Sequence, residues 1–264
     1  IPMTWMPGTG LDMARVAALI RETAQMEILP RFGQLLEDDI RKKQAGSLVT
    51  VADTAAERRL AQALAGLVPR SVVVAEEEAE TNPAVLDHLA SDGPVWIIDP
   101  LDGTANFAAG NENFAVIVAF VTKRQVRAGW LHHPLQNVTI MAEQGGGAWA
   151  AGERLRVSPA GPPSEMMGSL GRRLRINEEV AGRFGNVVHL RSCGVEYMTL
   201  VQGDLQFSHY RRMKPWDHMA GALIHAEAGG HSACLDGSPY LPLSPGEWGL
   251  LMAPDPESWE RVAE

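Results

Sequence analysis

Apolar and polar positions follow two rhythms along this chain. From Leu11 to Lys43 the spacing is helical, with Val16, Leu19, Ile20 and Thr23 at i, i+3, i+4 and i+7, which predicts a helix over 11–43. Pro30 lies inside it and should kink or divide it, because proline offers no N–H and its ring collides with the preceding turn. A second helix is expected over 54–67, ended by Pro69. Shorter apolar runs then read as strands: Val72–Ala75, Trp96–Ile98, where Pro100 is expected to end the strand, and Phe114–Val121, which has the β-branched character of a central strand. Val138–Ala142 and the stretch 148–157 flank Gly145-Gly146-Gly147 and predict a hairpin. The run Ser158–Pro163 reads as a linker, beyond which strands and helices alternate again. Near the end, Pro215–Glu227 reads as a helix with Asp217 in its first turn and Gly229-Gly230 as its stop.

Acids at the ends of these elements supply the candidate chemistry. The strand 72–75 runs into Glu76-Glu77-Glu78, the apolar run 96–98 delivers Asp99 with Asp102 three positions later, and the helix from Pro215 opens on Asp217. Taken alone, Asp99 would read as a turn former or helix cap. A run of three glutamates is ordinarily a solvated edge; of these Glu76, directly after the strand, is the candidate ligand. Together the acids need a cation between them, and carboxylates with a backbone carbonyl suit Mg²⁺ or Mn²⁺ rather than zinc. Gly103 and Thr104 follow where a helix could begin, and a helix N-terminus offers free N–H groups to phosphate. His132-His133 is a weaker metal candidate, since neighbours on a strand face opposite ways; it reads as a connection between strands. Arg172, Arg173 and Arg175 read as solvated.

Composition narrows the classes. A chain of 264 residues with 45% hydrophobic content can bury a core of one large or two small domains. A net charge of −9 argues against general nucleic-acid binding. No apolar run reaches the ~18 residues of a membrane span, and no signal peptide is visible, although Ile1 is an unusual first residue. Cys193 and Cys234, without CxxC spacing, read as reduced thiols of a cytoplasmic protein.

The stretch 99–107 (DPLDGTANF) resembles the first signature of the inositol monophosphatase family, and 216–230 (WDHMAGALIHAEAGG) is similar to its second. Leu48–Asp53 with Glu57 resembles the family segment that precedes the metal site, and the pieces keep family order from about Leu11 to Ala253. The resemblance implies the layered α-β-α-β-α sandwich of the sugar phosphatase type, with an α+β domain over 1–157 and an α/β domain over 158–264. It also implies Mg²⁺-dependent hydrolysis of a small soluble phosphate monoester, inhibition by Li⁺, and a homodimer. By the same resemblance Glu76, Asp99 and the Leu101 carbonyl would hold one metal, and Asp99, Asp102 and Asp217 a second, with a weaker third near Glu76. Gly103 and Thr104 N–H groups would grip phosphate. Thr104 would hold the attacking water and Asp53 would take its proton; the rival reading makes Asp53 an N-cap for the helix from Thr54. Mg²⁺ acidifies water less than zinc does, so a separate base makes physical sense.

Substrate contacts depart from the family pattern. Family members that act on inositol phosphate carry an acid seven residues before the Trp-Asp aspartate, where this chain has Tyr210, followed by Arg211, Arg212 and Lys214. Arg191–Glu196 resembles the substrate-contact turn, with Ser192, Gly194 and Val195 as candidate contacts, but Val195 and Glu196 replace small or hydroxylated residues. An anionic or polar substituent on the leaving group would fit this basic run; solvent exposure is its alternative. Fructose 1,6-bisphosphate, histidinol phosphate and 3′-phosphoadenosine 5′-phosphate therefore compete with inositol phosphate. A non-catalytic relative that uses the fold as a binding or regulatory module is the second function class.

Overall fold

The computed structural model describes residues 9–43, 46–241 and 249–264. Helix α1 (Met13–Thr23) is capped by Asp12, whose carboxylate accepts the Arg15 N–H at 2.9 Å. It continues through a π-helical turn (24–28) into a 3₁₀ turn (29–31) and stops before Phe32, which is extended. Pro30 is the cause: it cannot donate to the Met26 carbonyl and pushes it away, so the last turns widen and the helix ends. The expected helix over 11–43 is therefore too long. Residues 40–42 instead form strand β1 (Ile40–Lys42), paired antiparallel with β2 (Leu48–Thr50).

Helix α2 (Val51–Ala65) leads to the seven-stranded sheet. Its strands are β3 (Val72–Ala75), β4 (Val95–Asp102), β5 (Ala115–Thr122), β6 (Gln125–His133), β7 (Val138–Glu143), β8 (Gly147–Ala150) and β9 (Glu153–Leu155), in that spatial order. Only β3 and β4 run parallel; the rest is an antiparallel meander. The expected hairpin around Gly145–Gly147 is present, but its second arm breaks again at Ala151-Gly152, both at positive φ (49° and 85°), as a two-residue hairpin turn requires. His132 and His133 are not a connection: they are the last residues of β6, both buried, and His132 Nδ1 lies 2.9 Å from Thr139 Oγ1 and 3.1 Å from the Val138 carbonyl.

Pro100 does not end its strand either. β4 pairs with β5 as Asp99↔Ile117 and then Asp102↔Ala115, three steps on one strand against two on the other. The extra residue is a β-bulge, the position at which an interior strand accommodates proline.

Past the irregular stretch 156–162, a second sheet forms from β10 (Met167–Leu170), β11 (Asn186–Val188), β12 (Phe207–Tyr210), β13 (His231–Cys234) and β14 (Leu250–Ala253), in the order β11-β10-β12-β14-β13. Short helices α3 (Glu76–Thr81), α4 (Thr104–Ala108), α5 (Arg172–Arg175) and α6 (Glu178–Ala181) sit at strand ends, and α7 (Cys193–Gln202), α8 (Pro215–Glu227) and α9 (Pro256–Ala263) complete the chain. Three apolar layers hold these pieces together. Ile20, Leu60 and Leu64 of α1 and α2 pack on Trp96, Val118 and Trp130 of the large sheet. On its other face Ile97, Ile117 and Leu131 meet Tyr197, Met219 and Ile224 of α7 and α8, which also meet Leu250 and Met252 of the small sheet. Outside that sheet Phe207 and Leu251 pack with Val262 of α9. The layering is α-β-α-β-α, as the sequence resemblance implies. Gly221 lets α8 lie against α7: a Cβ there would sit 2.1 Å from the Tyr197 ring. α8 is the helix that carries Asp217.

Candidate active site

Strand register brings the first acids together. Ala75 of β3 pairs with Ile98 of β4, so Glu76, just past the end of β3, follows in register beside Asp99. The bulge at Pro100-Leu101 then re-aims the chain so that Asp99 and Asp102 both lie at this edge, where both are buried. Asp99 Oδ1 accepts the Leu101 N–H at 3.0 Å. Gly103 follows at φ 89°, and a Cβ there would stand 2.7 Å from the Asn113 carbonyl, so the turn into α4 requires glycine. Asn106 fixes this turn from within, donating to the carbonyls of Asn113 (2.7 Å) and Leu190 (2.8 Å).

Asp53 is not the N-cap of α2; that residue is Thr50, and Asp53 is the third residue of the helix, closing a capping box. Its Oδ2 accepts the Thr50 N–H (2.8 Å) and hydroxyl (2.6 Å), and its Oδ1 accepts the Thr104 hydroxyl at 2.8 Å. The hydrogen-bond pair Asp53–Thr104 thus joins two segments 51 residues apart. Burial raises the Asp53 carboxyl to about 6, against the lowering effect of these hydrogen bonds.

The three glutamates after β3 separate by environment. Glu78 is exposed, while Glu76 and Glu77 share Lys43, whose Nζ lies 2.9 Å and 2.7 Å from their carboxylates with its side chain only 5% exposed. Glu57 of α2 accepts the backbone N–H of Glu77 (2.8 Å) and Glu78 (3.0 Å) and so anchors the start of α3 beside Glu76. Nothing in the sequence pattern singled out Lys43 or Asn106. Asn106 lies within the motif 99–107, which is the one signal that could have found it.

The far wall comes from the second half of the chain. Asp102 Oδ2 accepts the Ser192 hydroxyl (2.6 Å) and the Gly194 N–H (2.7 Å), so the turn that opens α7 is bonded to an acid of the large sheet. Val195 and Tyr210 are buried, and Tyr210 stacks on Tyr197 with ring centroids 5.3 Å apart. Glu196 is buried and held by the hydroxyls of Ser169 (2.6 Å) and Ser208 (3.1 Å) and the Leu190 N–H (3.1 Å). A cleft of about 550 Å³ opens here, lined by Asp102, Ser192, Tyr210, Arg211 and Asp217 among others.

Electrostatics tie the acids into one group. The Asp99 carboxyl is pushed well up, first by burial and then by Glu76, Asp102, Asp217 and Asp53. Asp217 is raised by burial, Asp102 and Glu76, with Lys214 and Lys43 opposing. Asp102 rises to about 6 through burial, although its hydrogen bonds to Ser192 and Gly194 pull the other way. Such a cluster of largely buried carboxylates at neutral pH favours a hard, oxygen-seeking dication, and the donor set fits one. Cys193, Asp217 and His218 also approach one another, with candidate ligand atoms within 4.8 Å. Both His218 nitrogens are in use, Nε2 facing the Arg212 carbonyl (2.7 Å) and Nδ1 the Tyr197 hydroxyl (3.1 Å), so this histidine braces α8 rather than binding metal.

Known proteins place this arrangement. A model of the inositol monophosphatase family matches residues 12–264. The chain is 32% identical over 216 residues to the fructose-1,6-bisphosphatase/inositol-1-monophosphatase of Thermotoga maritima, covering 78% of this chain and 81% of that protein. It is 28% identical over 207 residues to Nus factor SuhB of Salmonella typhimurium, covering 73% and 74%. The solved structure of a Thermotoga maritima IMPase superposes with a TM-score of 0.80 at 27% identity, covering 94% of this chain and 95% of that one. No helix among the described residues is long and apolar enough to cross a membrane. The chain belongs to the inositol monophosphatase family.

Proposed function

We propose that the protein hydrolyses a small phosphate monoester with the help of Mg²⁺, for which Mn²⁺ can substitute. The observation that carries this reading is the convergence of Glu76, Asp99, Asp102 and Asp217 beside the hydrogen-bonded pair Asp53–Thr104. Glu76, Asp99, the Leu101 carbonyl, Asp102 and Asp217 would hold the metal. Bound there, Mg²⁺ supplies Lewis acidity, lowering the pKa of water and offsetting the charge of the phosphate. The protein's own groups do the rest. Thr104 orients the attacking water through its hydroxyl and Asp53 receives the proton through that hydroxyl, a role suited to a carboxyl raised to about 6. Backbone N–H groups of Gly103 and Thr104 hold the phosphate oxygens. Ser192 and Gly194 keep Asp102 in position. Li⁺ inhibition, a homodimer and a cytoplasmic setting belong to the same reading.

The test is phosphate release from myo-inositol 1-phosphate, fructose 1,6-bisphosphate, histidinol phosphate and 3′-phosphoadenosine 5′-phosphate, with Mg²⁺ and with chelator. Release that requires Mg²⁺ is expected. The SuhB relative, whose name denotes a Nus factor, favours a second reading, a binding module without turnover. Folded, Mg²⁺-loaded protein that cleaves none of the four esters would select that alternative.

A further inference from the structure

Away from the acid cleft, a separate cavity of about 350 Å³ opens between the end of the first helical stretch and the start of α2. Arg31 of the 3₁₀ turn, Arg41 of β1 and Arg58 of α2 line it, with Asp39 the one acid among the described lining residues. It shares no lining residue with the acid cleft. Local structure brings the three arginines together. Arg41 pairs with Val49 across β1 and β2, and Val51 and Arg58, seven residues apart, lie on one face of α2. Arg31 is balanced by Glu27, 3.1 Å away, and the Asp39 carboxylate accepts the Leu36 N–H at 2.9 Å. The guanidinium groups of Arg41 and Arg58 have no such partner. Among the described residues no carboxylate lies within 4 Å of either, and neither donates a hydrogen bond. Surface arginines are ordinarily solvated singly; these two line one hollow together with a third.

We infer that this cavity binds a small organic phosphate that is not the substrate, at a site distinct from the acid cleft. Guanidinium groups meet phosphate oxygens through paired N–H donors, and three of them from separate segments suit a group with oxygens on several sides. The rest of the wall fits a carbon body attached to that phosphate. Val49, Val51 and Ala55 give it an apolar stretch, on which Val51 is 39% exposed. A volume of about 350 Å³ lies within the ~300–1,000 Å³ of small-molecule sites and is larger than a bare phosphate needs. The position gives such a ligand a reason to matter. Thr50 lines the cavity and also donates its N–H (2.8 Å) and hydroxyl (2.6 Å) to Asp53. The site therefore stands directly behind the group proposed to take the proton, where substrate does not reach.

The experiment titrates phenyl phosphate and inorganic phosphate calorimetrically into chelator-treated protein, where the acids of the cleft repel an anion. Saturable binding is expected, tighter for phenyl phosphate than for inorganic phosphate. R41Q and R58Q, both at exposed positions, should each weaken it about tenfold or more, the loss of one charge-assisted contact. V51N should weaken phenyl phosphate alone, and R211Q in the acid cleft should change neither probe. No saturable binding would overturn the inference. So would binding that R211Q weakens while R41Q and R58Q leave it intact, since the anion would then lie in the cleft. Equal affinity for the two probes would overturn the assignment to an organic phosphate. None of these results bears on the phosphomonoesterase reading, which is decided separately by Mg²⁺-dependent release from the four esters.

Discussion

The edge of the seven-stranded sheet and the edge of the five-stranded sheet face the same cleft and are built in opposite ways. On the first, Glu76, Asp99 and Asp102 are fixed by strand register and a bulge, so their positions are set by backbone hydrogen bonds. On the second, Arg172, Arg173, Arg211 and Arg212 stand exposed at the ends of β10 and β12, on short α5 and on a connection. On the proposed reading, rigid backbone holds the groups whose spacing the chemistry needs, while the exposed long side chains are free to vary, since no fixed spacing depends on them. A single framework can therefore keep one reaction while its recognition wall changes.

Removing charge from the rigid side tests this contrast most strongly. Asp99→Asn should lower Mg²⁺-dependent phosphate release about 10³-fold or more, through loss of several kcal/mol of metal-mediated stabilisation. Its metal-free protein should melt no lower than the parent, because a repelled buried charge has gone. Retained activity would undo the proposed ligand set. Asp53→Asn should cost about 10²–10³-fold in kcat, the range of a general base, with little change in KM.

A pH titration of stability separates the two edges without any mutation. Asp53 and Asp102 are raised to about 6, and Glu57 and Glu77 to about 7, chiefly by burial. Each binds its proton more tightly folded than unfolded, so from pH ~4 to ~7 the folded state holds more protons than the unfolded one. Metal-free protein should lose stability as pH rises through this window, by a few kcal/mol in all, and saturating Mg²⁺ should offset the loss. Chemical denaturation at several pH values checks this; a flat profile would mean that burial does not hold protons on these carboxyls. Ser192→Ala removes both a bond to Asp102 and the cap of α7, and should cost about 1–2 kcal/mol in denaturant unfolding. Smallest of all, Arg175→Ala should change stability by less than about 0.5 kcal/mol and leave the kinetics unchanged, since this exposed arginine lines neither cavity.

How much of this was legible in the sequence depends on how far apart the partners lie. Asp99, Asp102, Gly103 and Thr104 are contiguous, and their motif carries both the strand and the turn. Lys43 reaches Glu76 across 33 residues, and Ser192 reaches Asp102 across 90, with no local pattern to announce either. The two prolines acted differently from one another. Pro100 suggests a terminus but occupies a bulge, because β5 supplies partners on both sides of it. Pro30 suggests a kink or a division of a longer helix and in fact ends it: the chain turns extended at Phe32, which packs on Phe107 and Phe114 instead of continuing a helical face. The α-β-α-β-α layering was legible only through resemblance; periodicity gave strands and helices without saying which faces meet.

The division of the acids along the chain bears on how the protein is made. Asp99 and Asp102 belong to the large sheet, which is complete by Leu155, and Glu76 opens α3 directly after β3, while Asp217 arrives on α8, beyond most of the small sheet. A nascent chain that has emerged only as far as β9 holds three of the four proposed acidic ligands, and lacks the Ser192 turn that steadies Asp102. Tight metal capture would therefore come late in synthesis, when α7 and α8 dock, and would mark a finished molecule rather than guide an unfinished one.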